Sequence, residues 1–445
     1  MSIDRWRSFG GYPRVVDQRV VPVWWRDDPL PKVAAPVTLL PRGRGLSYGD
    51  VCLNEGGTLL WTGPLDRFIA FDPEAGVVRC EAGVTIAQLA TALLPRGWFL
   101  PVSPGTALVS LGGAVANDVH GKNQHRRGCF GRYVRALELA RSDGSRSECT
   151  PTRNAELFRA TIGGMGLTGL ITAVELQLLA VCGPTLELES QRLTGLADLF
   201  AHGAETQRHE YAVAWIDASA PLRHLGRGVL YRAEHSREPA ALAPRAGEFG
   251  RARARVPCLL PSGLARRSTL SLLNRAYGWR AGRSRPPRLV SMRSFLFPLD
   301  SIGDWNRVYG RRGVLQYQCV VPLADAQLAS RELLLRIGRS GTTSFLTVAK
   351  LFGTLDSPGL MSFPRAGMTW SFDFPLCAEA LRLCDELDRT VAAAGGRLYP
   401  AKDARMSGAM FRAGFPEWTQ FAAYIDPLFS SSFWRRVTRG EESTR

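Results

Sequence analysis

Histidine is scarce in this chain, with six residues among 445. Paired cysteines are absent too. The nine Cys are odd in number and contain no CxxC, which argues against a zinc ribbon or a disulfide framework and fits a reducing compartment. No stretch approaches about 18 uninterrupted apolar residues, so nothing reads as membrane-spanning. The opening MSIDRWRSFGGYPR has no apolar centre of the kind a secretory signal needs. Acidic residues are in deficit, 40 against 56 Lys and Arg, for a formal charge of +16. That excess favours a polyanion, an acidic small substrate or an anionic membrane surface, and does not choose among them. The Gly-rich loop PRGRGLSYGD (41–50) is not closed by GK[ST], so it is not a Walker A loop, nor does it form GxGxxG within a βαβ unit.

What remains is ordinary globular composition, 45% hydrophobic and 22% charged, in a chain long enough for two or three domains. Short apolar runs bounded by Gly, Pro or Asp (VTLLPRG, GGTLLWT, AFDPEAGVVRCEAG) read as strands. Residues 84–98 place Ile86, Leu89, Ala90 and Leu93 at helical spacing behind Thr85, a candidate N-cap. RALELARSDGSRSECTP reads as a hairpin turning at Asp143-Gly144. Strands are expected again at YAVAWIDAS, LQYQCVVPL, TSFLTVAKLFG and MTWSFDFPL, and an amphipathic helix at CAEALRLCDELDRTVAAAGG, closed by its glycine pair. Residues 251–290 carry ten Arg, several Pro and no acidic residue, and read as a mobile, cationic excursion from the core.

Three glycine-rich segments bear on function. In loop 41–50, Gly43, Gly45 and Gly49 allow backbone N–H groups to converge on an anion, with Ser47 as a hydroxyl donor and Arg42 and Arg44 adding charge. In GGAVANDVHGKNQHRRGCFG (112–131), small residues permit close approach of a planar ring or another backbone. Two of the six histidines, His120 and His125, lie here. They are five apart with Asp118 as the nearest acid, too few ligands at the wrong spacing for zinc, so no metal is expected. ATIGGMGLTGLI (160–171) is a glycine-rich bend leading into a strand. Each alone is ambiguous between an anion grip, a cofactor wall and a simple turn.

Their order resembles the flavin-dependent oxidases of the vanillyl-alcohol oxidase type, with a PCMH-type FAD-binding domain. RGRGLSYGD, LLPRGWFLPVSPGT, VHGKNQHRRGCFG, ATIGGMGLTG, LQYQCVVP, GGRLYPAKDAR and DPLFSS resemble, in order from about residue 38, the decaprenylphosphoryl-ribose 2′-oxidase family. The resemblance implies an α+β fold. It has a two-subdomain FAD-binding domain (1–184, with a C-terminal return at 397–445) and an antiparallel-sheet substrate domain (185–396). It implies that Gly43, Gly45, Ser47, Tyr48 and Gly49 hold the FAD pyrophosphate, and that Gly113, Asn117, Gly164, Thr168 and Gly169 line the flavin and its adenine side. His120, Gly121 and Lys122 resemble a pocket-wall triplet. Lys402 resembles an active-site lysine beside the flavin, so Lys402 and His120 are the expected catalytic pair. Gln316, Gln318, Lys350 and Ser371 resemble the substrate pocket, which His120 shares; His125 is expected to be a solvated loop residue.

Where relatives with a covalent flavin carry His in the first loop, this chain has Leu46, which implies non-covalent FAD. Mycobacterial-type members read GWNICVDF with a cysteine facing the flavin. Here GMTWSFDF puts Ser371 in the Cys position and Thr369 in place of Asn, which bears on sugar or carrier specificity. The implied activity is FAD-dependent oxidation of a sugar secondary hydroxyl, C2′ of a polyprenyl-phosphoryl ribose, followed by a partner keto-reductase. The implied setting is cytoplasmic with peripheral contact to an anionic membrane. An aldonolactone or other soluble-sugar oxidase is the alternative within the class. A nucleic-acid-binding protein, raised by charge alone, lacks any recognition fold.

Overall fold

The computed structural model describes residues 6–237, 249–261, 267–281, 285–344 and 346–438. The fold is α+β and is built on three main sheets. Strands Gln18–Pro22, Gly57–Trp61 and Leu39–Arg42 pair in parallel, with Gly57–Trp61 central. Five antiparallel strands between Phe68 and Gln177 form the second sheet. Its hairpin turns where expected, with Ala140 opposite Arg146 and Gly144 at φ +84°. Beside it the helix Ile86–Leu93 starts at Thr85, whose hydroxyl accepts from the Gln88 N–H while the Gln88 side chain accepts from the Thr85 N–H. Such a reciprocal cap contributes about 1 kcal/mol.

The third sheet has eight strands, all antiparallel, running from the edge strand Arg285–Ser291 to Arg397–Leu398. The two-residue period of a strand gives this sheet two unlike faces. On Gly367–Pro375, Trp370, Phe372 and Phe374 point one way and stack in a row. Helices Ala326–Arg339 and Ala378–Ala393 cover that face through Leu333, Leu334, Leu383 and Leu387, all buried. Trp370 spends its indole N–H on Ser330 Oγ at 2.7 Å. Ser371 alternates to the opposite, open face.

The C-terminal residues return to the first sheet. Leu39 N donates to Leu428 O and Ser430 N to Leu39 O, and Arg436 bridges the buried Asp50 and Asp403 carboxylates at 2.7 and 2.9 Å.

The excursion expected at 251–290 needs correction. Within it lie the helix Arg267–Ala281 and the edge strand Arg285–Ser291, which pairs with Thr185–Leu193. Residues 262–266 and 282–284 fall outside the described residues. Pro286 and Pro287 fall in this strand, and proline is tolerated at a sheet edge, where one side of the ladder needs no donor.

Candidate active site

The open face of the eight-stranded sheet, the glycine loop and the 104–122 segment enclose a cavity of about 1870 Å³. That exceeds the usual 300–1,000 Å³ of a single small-ligand pocket and leaves room for two ligands in sequence. One half is built from main chain. Loop 43–48 follows strand Leu39–Arg42, and among the described residues the N–H groups of positions 43–47 donate to no protein acceptor. Gly45 sits at φ +67°, and a Cβ there would lie 2.2 Å from Arg42 Nη2. Ser110, Gly112 and Gly113 face the same space. A run of unspent donors with no side chain in the way is what a pyrophosphate requires, so these residues fit FAD.

Several expected contacts are placed differently. Gly43, Gly45, Ser47, Tyr48, Gly113, Asn117, Gly121, Lys122 and Gly169 line the cavity; Gly49, Gly164 and Thr168 do not. Gly49 is a packing position, where a Cβ would fall 1.7 Å from Asp403 O. Gly164 abuts Ala160 O, and Thr168 is buried with its hydroxyl 2.9 Å from that of Thr161. Beside Gly169, the bend presents Met165 and Gly166 to the cavity. Arg42, expected to add charge, is buried and donates to Cys52 O and Arg7 O. It braces the loop from the cavity wall.

The other half is built from side chains. Pleat and register bring Gln318 opposite Ser371 and Lys350 opposite Thr369. Gln316, Gln318, Lys350 and Ser371 line the cavity with His120 and Lys402. Tyr48 N donates to Ala401 O at 3.0 Å, which locks the glycine loop to the Lys402 segment. Lys402 Nζ lies 4.3 Å from the centre of the Tyr48 ring, a cation–π contact.

Three lysines share this cavity. Burial pushes Lys350 down to about 7, helped by repulsion from Lys122 and Lys402. Burial holds Lys402 at about 8 against the pull of Asp373, and Lys122 at about 8 against that of Asp300. Lys122 also donates to Leu296 O at 2.7 Å. The site is thus short of negative charge, and a bound anion would relieve it.

His120 is buried, and burial with the nearby lysines holds it well below the usual imidazole range, so the ring is neutral. Its tautomer follows from a chain of hydrogen bonds. Thr369 Oγ1 donates to Cys319 O at 2.8 Å, so it accepts from Gln318 Nε2 at 3.3 Å. The Gln318 amide therefore turns its NH₂ toward His120 Nε2, 2.9 Å away, which must accept. The ring proton is left on Nδ1, which is buried with no partner among the described residues. An N–H in that state awaits a ligand acceptor.

His125 is not solvated: it is half-buried and its Nε2 donates to His209 O at 2.9 Å. With Asn123 and Arg127 on Glu210, it staples the loop to the large sheet, so the two histidines of one motif have separate tasks. Among the described residues, Glu189, Glu205 and His209 are the one group with metal-like spacing. Arg232 already pairs with both carboxylates at 2.5 Å.

Asp373 was missed in the sequence. It is fully buried, accepts from Gln316 Nε2 at 2.5 Å, leaves Oδ2 without a partner among the described residues, and is pushed up to about 6 by burial. Its position two residues beyond Ser371 on a strand was the available signal.

A family described as an FAD binding domain matches residues 32–150. The decaprenylphosphoryl-beta-D-ribose oxidase of Mycolicibacterium smegmatis is 36% identical over 412 residues, covering 90% of this chain and 89% of that protein. An uncharacterized protein in the mprA 5′ region of Streptomyces coelicolor is 36% identical over 374 residues, covering 80% of this chain and all of that one. The L-gulonolactone oxidase of Mus musculus is 30% identical over 146 residues, covering 33% of this chain and 32% of its own length.

Proposed function

The chain belongs to the decaprenylphosphoryl-beta-D-ribose oxidase family and is an FAD-dependent oxidoreductase acting on CH–OH groups; from that premise we propose that it oxidises C2′ of a polyprenyl-phosphoryl ribose to the 2′-keto sugar. The observation that carries the reading is the set of three half-buried lysines that line the cavity with a neutral, singly donating histidine, continuous with an N–H cradle. When bound, FAD supplies the hydride acceptor. Loop 43–48 with Gly113, Asn117 and Gly169 would hold it, without a covalent bond because Leu46 cannot form one.

The chain's own groups divide the remaining work. His120 Nδ1–H and the Lys402 ammonium bind the sugar oxygen at the reacting carbon. A cation on that oxygen lowers the hydroxyl pKa, so that the hydroxyl proton passes to solvent water as hydride departs. Lys350 and Lys122 receive the substrate phosphate as point charges, and Gln316, Gln318 and Ser371 orient sugar hydroxyls. The keto product calls for a partner reductase to complete epimerisation to arabinose, for use in cell-wall arabinan. The cationic stretch 251–290 would bring the enzyme against an anionic membrane on the cytoplasmic side.

Anaerobic mixing with a polyprenyl-phosphoryl ribose should bleach the flavin of the purified protein, and acid precipitation should release that flavin into solution. Bleaching by an aldonolactone or free ribose but not by the phosphoryl lipid would replace this reading with a soluble-sugar oxidase.

A further inference from the structure

The helix Arg267–Ala281 has two faces that do different things. Leu270 and Asn274 are buried, and Asn274 Nδ2 donates to Asp217 Oδ1 at 3.2 Å. Tyr277 packs on Trp215 with ring centres 4.6 Å apart and meets the Tyr231 hydroxyl at 2.8 Å. These residues lie at i, i+4 and i+7, one face of a helix, and Asn274 and Tyr277 line the cavity with the half-exposed Leu273. The inner face is therefore a cavity wall.

The outer face is inverted relative to a water-facing helix. Leu272 and Trp279, seven residues apart, point about 180° from the docked face. They are 68% and 73% exposed. Arg275 and Arg280 flank them, both exposed, and no acidic residue occurs between 251 and 290. Leu259, also on the cavity lining, is 50% exposed, so the rim beside the helix is apolar as well. A solvent-facing helix carries polar residues of both signs outward. One that turns Leu and Trp outward between arginines has the composition of an interfacial helix, with aromatic and aliphatic groups at the acyl boundary and guanidinium groups at the phosphates.

We propose that this helix seats the enzyme on an anionic bilayer, Leu272 and Trp279 entering the headgroup region, so that the cavity mouth opens at lipid level. A lipid-linked substrate then passes its phosphoryl sugar past Leu273 and Tyr277 to the lysines while its chain stays in the bilayer. The choice of a bilayer rests on the lipid-linked substrate read above and on charge complementarity, since an apolar patch ringed by cations alone repels a second copy of itself.

The test uses the FAD-loaded enzyme with vesicles of phosphatidylcholine containing phosphatidylglycerol, and with phosphatidylcholine alone. The wild type should sediment with the anionic vesicles. Leu272→Asp combined with Trp279→Asp should lower that affinity at least tenfold, with flavin content and bleaching by a water-soluble short-chain phosphoryl ribose unchanged. Arg275→Glu with Arg280→Glu should lower it further, each Arg near the surface being worth about fivefold. Turnover of long-chain substrate embedded in vesicles should fall in parallel. Unchanged vesicle binding by the Leu272/Trp279 variant overturns the proposal, as does a wild type that ignores vesicles and forms a dimer which that variant disrupts. Vesicle binding that follows the predicted pattern while no phosphoryl ribose bleaches the flavin supports the docking face and sinks the substrate assignment alone.

Discussion

The two halves of the cavity solve different recognition problems with different materials. The cradle at 43–48 presents main-chain donors and owes its shape to missing side chains. The opposite wall presents polar side chains, Gln316, Gln318, Lys350 and Ser371, standing on a pleated sheet whose far side is sealed by stacked aromatics and two helices. A backbone cradle is indifferent to what else is bound, and a substitution can only obstruct it. A side-chain wall can be changed one position at a time without moving its neighbours, because strand pairing fixes the Cα positions. The cofactor should therefore be common to many relatives and the substrate particular to few. L-gulonolactone oxidase shares 33% of this chain, whereas the decaprenylphosphoryl-beta-D-ribose oxidase shares 90%.

The seam between the halves is where the largest effect is expected. Gly49 meets the Asp403 carbonyl so closely that an added Cβ would sit 1.7 Å from its oxygen and 2.6 Å from its carbon, and both partners are main chain. Gly49→Ala should separate the glycine loop from the Lys402 segment. Overpacking of this kind costs about 1–3 kcal/mol or more, so the variant should melt earlier and purify with little or no flavin. Wild-type flavin content in Gly49→Ala would mean that the cradle and the wall are not mechanically joined.

Lys402 distinguishes binding from chemistry. Lys402→Ala removes one preorganised cation, a loss worth roughly a hundredfold or more in rate. It leaves the N–H cradle intact, so flavin should remain bound while stopped-flow bleaching slows. Loss of flavin together with rate would show that the two halves share Lys402 for holding the cofactor.

How much of this could be read from the sequence depends on whether the geometry is local. The cradle is a run of consecutive residues, so its glycines announce it, although the residue that packs (Gly49) looks the same as those that line (Gly43, Gly45). The wall is not local. Gln318 meets Ser371 across 53 residues of chain, a pairing that register alone determines, and these positions were found through family resemblance. Asp373 escaped because a buried acid in an aromatic strand looks like a polar interruption. The helix 267–281 escaped because its inner face relies on Asn274 and Tyr277 rather than an aliphatic stripe, while Leu272 and Trp279 face outward.

The wall's charge can be tested by pH. Lys350, ordinarily near 10.5, is held at about 7. The unfolded chain therefore keeps this proton through a range in which the folded one has lost it. The stability penalty is fully present below about 7 and is relieved as pH rises toward 10.5. For an anionic substrate the consequence is opposite in sign: the cation that attracts phosphate is lost as pH rises through about 7. KM for the phosphoryl substrate should climb by up to about tenfold per pH unit there, with kcat much less affected. Lys350→Met should raise KM at low pH and flatten the profile. An unaltered slope in that variant would assign phosphate binding to another group.

The smallest effect is expected at Ser371, and it separates specificity from chemistry most finely. Ser371 lines the cavity and is half-buried, facing Gln318 on one neighbouring strand and Val348 on the other. No bond to its side chain forms when a carbinol gives up hydride, and Ser and Cys differ little in volume. Ser371→Cys should therefore bleach within a few-fold of the wild type with the same substrate, and any change should appear in KM, where orientation of a sugar hydroxyl is felt. The new thiol would stand in a cavity holding three lysines, whose positive charge favours the thiolate, so an electrophile small enough to enter should label it and the label should block bleaching. The nine native thiols provide the control, since the wild type has no cysteine at this position. If Ser371→Cys loses flavin reduction outright while retaining its flavin, the hydroxyl takes part in the proton path and the wall does chemistry as well as recognition.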